Sequence, residues 1–355
     1  MSNLDYIGFD VHKKSISFCA KAQDGRILEE GKIAARRSDL DAWARGRCRP
    51  WVGALEATLF TGWIYDQLRP MAQELKVAHP AMLKAIAASK KKNDRIDARK
   101  IADLLRCNLL PECYMASSRM RELRRLLRYR NLVVRQATRM KNRIAGLLME
   151  TGTPYNKQRL HGKRYFAELL GSLQETPASV RGLLRISRSQ VELFGAIQRK
   201  LVQELRSNPE LAERVERLMS IDGVGEIVAL TWVLEIDEVN RFSSIGRAQS
   251  YCGLTSAQNN SAGVEYGGPI SKQRNKNLQT ILVEAAKLAP RWNSELAALH
   301  ARELSRGNRN RATLAVARKM VAYLMAVDKS GQPFRQKARP EATVELAVTN
   351  QLGDD

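Results

Sequence analysis

Lys90-Lys91-Lys92-Asn93-Asp94-Arg95-Ile96-Asp97-Ala98-Arg99-Lys100-Ile101-Ala102-Asp103-Leu104 is the stretch on which the rest of the chain converges. Ile96, Ile101, Leu104 and Leu105 make one apolar stripe at helical spacing, and Asp94 suits the N-cap or the first turn. Asp94 and Asp97 are three residues apart, so a helix puts them on one face. Two carboxylates there repel unless something positive lies between them. A divalent cation serves, and oxygen ligands suit Mg²⁺ or Mn²⁺. Taken alone, the helix is better explained as a solvated face neutralised by Arg95, Arg99 and Lys100, so the acids acquire a role only from what precedes them.

Upstream, Tyr6-Ile7-Gly8-Phe9-Asp10-Val11 and Ser15-Ile16-Ser17-Phe18-Cys19-Ala20 read as strands, and Asp24-Gly25 turns the chain into a third, Arg26–Ile33. A short helix capped by Ser38 runs to Arg45 and leads to a buried strand, Trp51-Val52-Gly53-Ala54-Leu55, with Glu56 at its end. Helical periodicity spans Thr61–Leu75 despite Pro70; a short strand, Lys76–His79, and a helix over Ala81–Ser89 follow. Three antiparallel strands, then alternating helices and strands, then the Asp94 helix, is the order of an α/β ribonuclease H-like domain. That order brings Asp10, Glu56, Asp94 and Asp97 to one sheet edge. An acid beside a strand is usually a turn residue; four at these places are a more specific signal. A metal pair held by them could activate a nucleophile and stabilise the leaving oxygen of a phosphodiester.

The 355 residues carry a formal charge of +22, and a surface so basic points to a polyanionic partner, nucleic acid first. Residues 111–210 hold 20 basic and 8 acidic side chains, more than half of that excess. Five cysteines, Cys19, Cys48, Cys107, Cys113 and Cys252, without a C-x-x-C spacing, disfavour a disulfide framework and a zinc finger. No apolar run approaches a membrane span, and the first twenty residues lack a signal-peptide core, so a soluble, cytoplasmic, nucleoid-associated protein is expected.

Arg119–Arg143 contains nine arginines, one lysine and a single acid, Glu122. Leu126, Arg130, Val133, Ala137, Met140, Ile144 and Leu147 alternate in steps of four and three, the seam of a long coiled-coil helix. Val180, Leu184, Val191, Phe194, Leu201 and Leu205 make a second seam, to pair with the first as a hairpin or between subunits. Arg121, Arg124, Arg125, Arg128, Arg135 and Arg139 are candidates to lie against phosphates, with Tyr129 available for stacking. Expected boundaries are 1–112 for the α/β domain, 113–210 for the basic coiled-coil region, 211–330 for a mostly helical domain, and 331–355 for a mobile tail.

In the third region Ile221-Asp222-Gly223-Val224-Gly225 before the apolar helix Ile227–Leu234 resembles a helix-hairpin-helix turn, although a plain capping turn fits equally. Thr255–Lys272 reads as a polar, Gly-rich loop able to expose a hydroxyl, Ser261 being the best placed. Lys272, Arg274 and Lys276 add basic groups before the helix Leu278–Leu288, and two more helices, Trp292–Leu304 and Ala312–Val327, complete the region.

Ile7-Gly8-Phe9-Asp10-Val11-His12-Lys13, Leu55-Glu56-Ala57-Thr58, Asn93-Asp94-Arg95-Ile96-Asp97-Ala98-Arg99-Lys100-Ile101-Ala102 and Gly253-Leu254…Ser261…Ile270-Ser271-Lys272 together resemble the DEDD transposases of the insertion-sequence one-ten family, relatives of the Piv-type DNA invertases. The resemblance spans about residues 5–330. It implies a RuvC-like amino-terminal domain, a coiled-coil linker and a carboxy-terminal transposase domain with a nucleophilic serine. By motif, Asp10, Glu56, Asp94 and Asp97 match the four metal-binding acids and Ser261 the serine, with Ser256 and Ser271 as alternatives. Here the family's Ser-Gly pair is Ser261-Ala262 followed by Gly263, and Asn260 stands where many relatives have another Ser. The resemblance further implies a structured noncoding guide RNA pairing with donor and target DNA, and a homo-oligomer, dimer or tetramer. Two other functions fit part of the sequence: a metal-dependent resolvase-type nuclease with water as nucleophile, and a nucleic-acid-binding protein without chemistry.

Overall fold

The computed structural model describes residues 4–86, 93–261 and 264–335. Lys90–Lys92 of the opening stretch, Ala262, Gly263 and residues 336–355 of the expected tail lie outside them. The chain divides into two compact units, residues 1–121 and 122–355.

In the first unit, β1 (Asp5–Val11), β2 (Ser15–Lys21), β3 (Ile27–Ala34), α1 (Arg37–Arg45), β4 (Trp51–Glu56), α2 (Thr61–Leu68), β5 (Glu74–Ala78), α3 (Pro80–Ile86) and α4 (Asp94–Arg106) follow in order. The strands form one mixed sheet in the order β3-β2-β1-β4-β5. β1, β2 and β3 run antiparallel, whereas β4 lies parallel to β1 and β5 parallel to β4. The alternation of side chains sorts the two faces. Ile7, Phe9, Trp51 and Leu55 pack with Leu40 and Ala44 of α1 and Ile64 and Leu68 of α2. Val52 and Ala54 instead join Ile101 and Leu105 of α4. Gly8, on that second face, permits a close approach: a Cβ there would lie 2.2 Å from the Ala98 carbonyl oxygen and 2.5 Å from the Ala102 nitrogen. Any side chain would push α4 off the sheet.

Two expectations are corrected. Ser38 does not cap α1, which begins at Arg37 after an N-cap, Arg36, that makes no side-chain bond. The helix expected over Thr61–Leu75 stops at Leu68. Pro70 cannot donate the next helical N–H, and Glu74–Ala78 is thereby free to pair with Val52–Glu56.

In the second unit, α5 (Ser118–Glu150), whose first turn holds the division, is followed by α6 (Lys163–Ser172), α7 (Ala178–Arg206), α8 (Pro209–Met219), α9 (Glu226–Ile236) and α10 (Ile245–Tyr251). β6 (Ser256–Ser261), β7 (Val264–Ile270), α11 (Lys276–Ala286), α12 (Ser294–Ser305) and α13 (Arg309–Ser330) complete it. Val133, Ile144 and Leu147 of the α5 seam are buried, and Leu126, Arg130, Ala137 and Met140 are half-buried. Ile144, Leu147 and Leu148 share a core with Phe166 of α6 and Leu184 of α7. Apart from Thr231 and Glu235, α9 is apolar all round from Val228 to Ile236, and that whole stretch is buried, as a helix at the centre of a core must be. Between α8 and α9, Gly223 takes φ +91° and its missing Cβ leaves room for Ala289.

The segment read as a loop over Thr255–Lys272 is a correction: it is an antiparallel hairpin, with Asn260 opposite Glu265 and Ser261 opposite Val264. The first strand is small and polar, and in the second Val264 and Tyr266 alternate only until Gly267-Gly268-Pro269 interrupts them, so little hydrophobic alternation announces the strands. Ser261 is the last residue of the first strand.

Candidate active site

Asp10 sits near the carboxyl end of β1, two residues beyond Gly8 and therefore on the α4 face; it is 8% exposed. Glu56 ends the neighbouring parallel strand. Phe9 pairs with Leu55, so Asp10 and Glu56 are the next residues along, and Glu56 follows Ala54 by two on the same face. The carboxyl ends of parallel strands are where α/β sheets place ligands. The turn beyond Glu56 is fixed by Thr61, whose hydroxyl donates to the Glu56 carbonyl at 2.8 Å and accepts from the Thr58 N–H at 2.7 Å.

α4 enters the same edge. Asn93 is its N-cap, accepting the Arg95 N–H at 3.1 Å, and Asp94 and Asp97 occupy its first turn. There the helix dipole favours negative charge. His12, just past β1, links strand to helix: its Nε2 is 3.1 Å from Asp10 Oδ2 and 3.3 Å from Asp94 Oδ1. Ligand atoms of Asp10, His12 and Asp94 all lie within 4.8 Å of one another. Lys32 of β3 reaches to 3.7 Å from the other Asp94 oxygen, and Lys100 to 3.6 Å from Asp97. Burial pushes the Asp10 carboxyl above its ordinary value, and the charges of Asp94 and Asp97 push the same way against His12. Concentrated carboxylates drawing an imidazole and an ammonium toward them fit a divalent cation by donor type. The two arginines expected to neutralise the helix are committed elsewhere: Arg95 and Arg99 both bind Glu30 of β3.

The basic groups of α5 divide by orientation. Arg121 donates to the Ala116 carbonyl at 2.7 Å and to Asp66 at 2.6 Å, within the first unit. In the second unit Arg124 donates to the Leu234 carbonyl, and Arg128 makes two parallel bonds, 2.9 and 2.8 Å, to Glu235. Arg125, Tyr129, Arg135 and Arg139 are exposed, at spacings that put them on one stripe. Lys272 and Lys276 are exposed as well, whereas Arg274 is half-buried, donates to the Ser271 carbonyl at 2.9 Å and packs its stem against Gly253.

Glu235 is fully buried and is a structural centre of this unit. Besides Arg128 it accepts from Asn275 at 2.9 Å and Asn277 at 2.8 Å, and its carbonyl accepts the Tyr251 hydroxyl at 3.2 Å. Burial raises its carboxyl, but the bonds and charge of Arg128 prevail and hold it below its ordinary value. These contacts tie α5, α10 and the start of α11 together around the base of the β6–β7 hairpin. The serine on that hairpin, Ser261, belongs to the second unit, and its side chain lies outside the described residues.

Residues 7–153 match the family signature of a DEDD transposase of the IS110 type, and residues 215–301 match that described as the transposase IS116/IS110/IS902 family. The chain belongs to the IS110 family of transposases. The transposase is 24% identical over 341 residues to the transposase for insertion sequence element IS1328 of Yersinia enterocolitica, covering 94% of this chain and 99% of that one. It is 25% identical to the transposase for insertion sequence element IS1111A of Coxiella burnetii, covering 94% and 92%. A probable family 20 transposase of Pseudomonas aeruginosa is 23% identical, over 81% of this chain. Asp10, Asp94 and Asp97 fall inside the DEDD match and Ser261 inside the second. Among the described residues no helix is long and apolar enough to cross a membrane.

His12 and Glu235 escaped the sequence reading. The signal for His12 was its place two residues after a strand-end acid; for Glu235 it was the first acid after an apolar helical run, with Asp237 and Glu238 just beyond it.

Proposed function

We propose that the transposase cuts and rejoins DNA through a covalent serine link, with Asp10, Glu56, Asp94 and Asp97 holding Mg²⁺ or Mn²⁺ and Ser261 as nucleophile. The convergence of Asp10 and Asp94 at the edge where β1 meets α4, inside the DEDD match, is the observation that carries this. The strand order β3-β2-β1-β4-β5 favours a ribonuclease H-like, RuvC-like domain as its frame. When bound, the metal neutralises charge on the phosphate and lowers the cost of forming an alkoxide. Ser261 Oγ attacks phosphorus, its proton leaves to solvent or a nearby base, and one phosphodiester P–O bond breaks as the Ser–O–P bond forms. Attack on that linkage by a DNA hydroxyl from the other duplex restores the serine and joins new strands, so no external energy source is required.

The acids and Ser261 are in different units of the chain. Completion of the site between subunits of a dimer or tetramer would keep an isolated subunit inert. The exposed stripe Arg125, Tyr129, Arg135 and Arg139, with Lys272 and Lys276, is the surface offered to duplex phosphates and to a structured guide RNA. Base pairing by that RNA would supply sequence choice, leaving the protein to recognise shape and charge.

The test is strand cleavage of donor and target duplexes by the full chain with its co-purified RNA. Asp10→Asn and Asp94→Asn abolish cleavage under every chemistry that uses the acids, whereas Ser261→Ala separates them. Loss of cleavage in Ser261→Ala is expected; undiminished cleavage by that variant supports the water-activating nuclease instead.

A further inference from the structure

We propose that His12 is itself a ligand of the divalent cation, so that the site takes two or more carboxylate oxygens and one imidazole nitrogen and prefers Mn²⁺ to Mg²⁺. This rests on the reading above that the acid cluster binds a divalent metal, and adds to it a nitrogen donor outside the four acids.

The geometry carries it. Two donors each about 2.1–2.2 Å from one octahedral ion and at right angles to each other are about 3 Å apart. His12 Nε2 stands 3.1 Å from Asp10 Oδ2 and 3.3 Å from Asp94 Oδ1, the separations of neighbouring ligands around one centre. A single Nε2–H can align with only one acceptor at a time, so hydrogen bonding alone leaves one of these two approaches without a linear partner. The imidazole is also placed by backbone: His12 opens the turn between β1 and β2, and its N–H donates to the Ser15 carbonyl at 2.9 Å. The strand that positions Asp10 therefore positions His12. About half of the His12 side chain is exposed, which gives an ion a way in, and the buried Asp10 carboxylate beneath it limits competing water. Lys32 approaches Asp94 from β3 through the other carboxylate oxygen, leaving the oxygen facing His12 to share with it.

Nitrogen in the set changes the choice of ion. Mg²⁺ keeps oxygen ligands and gives up its water reluctantly, whereas Mn²⁺, an oxygen-seeking ion at the start of the first-row affinity order, more readily exchanges one of those oxygens for an imidazole nitrogen. Full-length protein titrated with Mn²⁺ and Mg²⁺, with bound Mn²⁺ read by electron paramagnetic resonance, tests this without any DNA reaction. The wild type should bind Mn²⁺ at least about tenfold more tightly than Mg²⁺, and pulsed spectra should show modulation from a directly bound nitrogen. His12→Ala should remove that modulation and weaken Mn²⁺ by about tenfold while changing Mg²⁺ much less. An unchanged melting temperature shows the variant folded; His12→Asn, which restores an oxygen donor, should move the preference toward Mg²⁺. Mn²⁺ bound in an Asp10-dependent way, with no nitrogen modulation or with the same modulation in His12→Ala, overturns the role of His12 and leaves the acid site standing. No Mn²⁺ binding by the wild type, or equal binding by Asp10→Asn, overturns both.

Discussion

Gly8→Ala puts one methyl group between the sheet and α4. Its Cβ would lie 2.2 Å from the Ala98 oxygen and 2.5 Å from the Ala102 nitrogen, and ordinary contact begins near 3.4 Å, so the helix must retreat by about 1 Å. Both neighbours are backbone atoms, with no flexible side chain to absorb the strain, and overpacking of this kind costs about 1–3 kcal/mol. The retreat is felt at the other end of the helix, where Asp94 must meet Asp10 and His12. A displacement of about 1 Å in a positioned group lowers rate by about a hundredfold. Gly8→Ala should therefore lose urea stability by the stated amount, bind Mn²⁺ less tightly and cleave far more slowly even where it remains folded. Gly146→Ala is the control: nothing lies within 4 Å of a Cβ there, inside α5 and four residues before its end, so it should gain about 0.5–1 kcal/mol. A Gly8→Ala protein with wild-type stability and metal affinity would refute the claim that α4 contact sets the acid geometry.

Glu235→Ala removes the acceptor of Arg128, Asn275 and Asn277 at once. Because Arg128 is 53% exposed and regains water, the loss should be about 2–3 kcal/mol by urea denaturation, and a change below about 0.5 kcal/mol would show that the network is dispensable. Glu30 makes stability sensitive to acid. Bonds from Arg99 first, with Arg95 assisting, lower its carboxyl from 4.5 to about 2 against the effect of burial, so its contribution is full above pH 4.5 and is lost as pH falls toward 2. Solvent screening keeps it to about 1–2 kcal/mol; Glu30→Gln should flatten the stability curve over that window, and parallel curves for the two proteins would contradict the assignment.

The part of this protein legible in its sequence is the part written in hydrophobic alternation and capping. Phe9 and Leu55 against Gly8 and Ala54 sort the sheet faces, and Asp94, a candidate for the N-cap or the first turn of α4, takes the first turn while Asn93 is the cap. What escaped depended on partners far along the chain. Arg124 and Arg128 look like phosphate ligands until Leu234 and Glu235, more than a hundred residues away, take their guanidinium groups. The β6–β7 hairpin escaped because β6 carries no hydrophobic alternation and that of β7 stops at Gly267-Gly268-Pro269, and the apolar periodicity on both sides of Pro70 masks the break that it makes. In the acid cluster Asp10 and Asp94 were marked by their places, whereas His12 becomes visible only when strand end and helix start are seen side by side.

The most direct measurement of the central claim is mass spectrometry of the protein, with any RNA that co-purifies, after incubation with donor and target duplexes and a divalent metal. The account predicts a nucleotide adduct on Ser261 that disappears with Asp10→Asn. Cleaved DNA with every serine unmodified, or an adduct on Ser256 or Ser271 in its place, would contradict it.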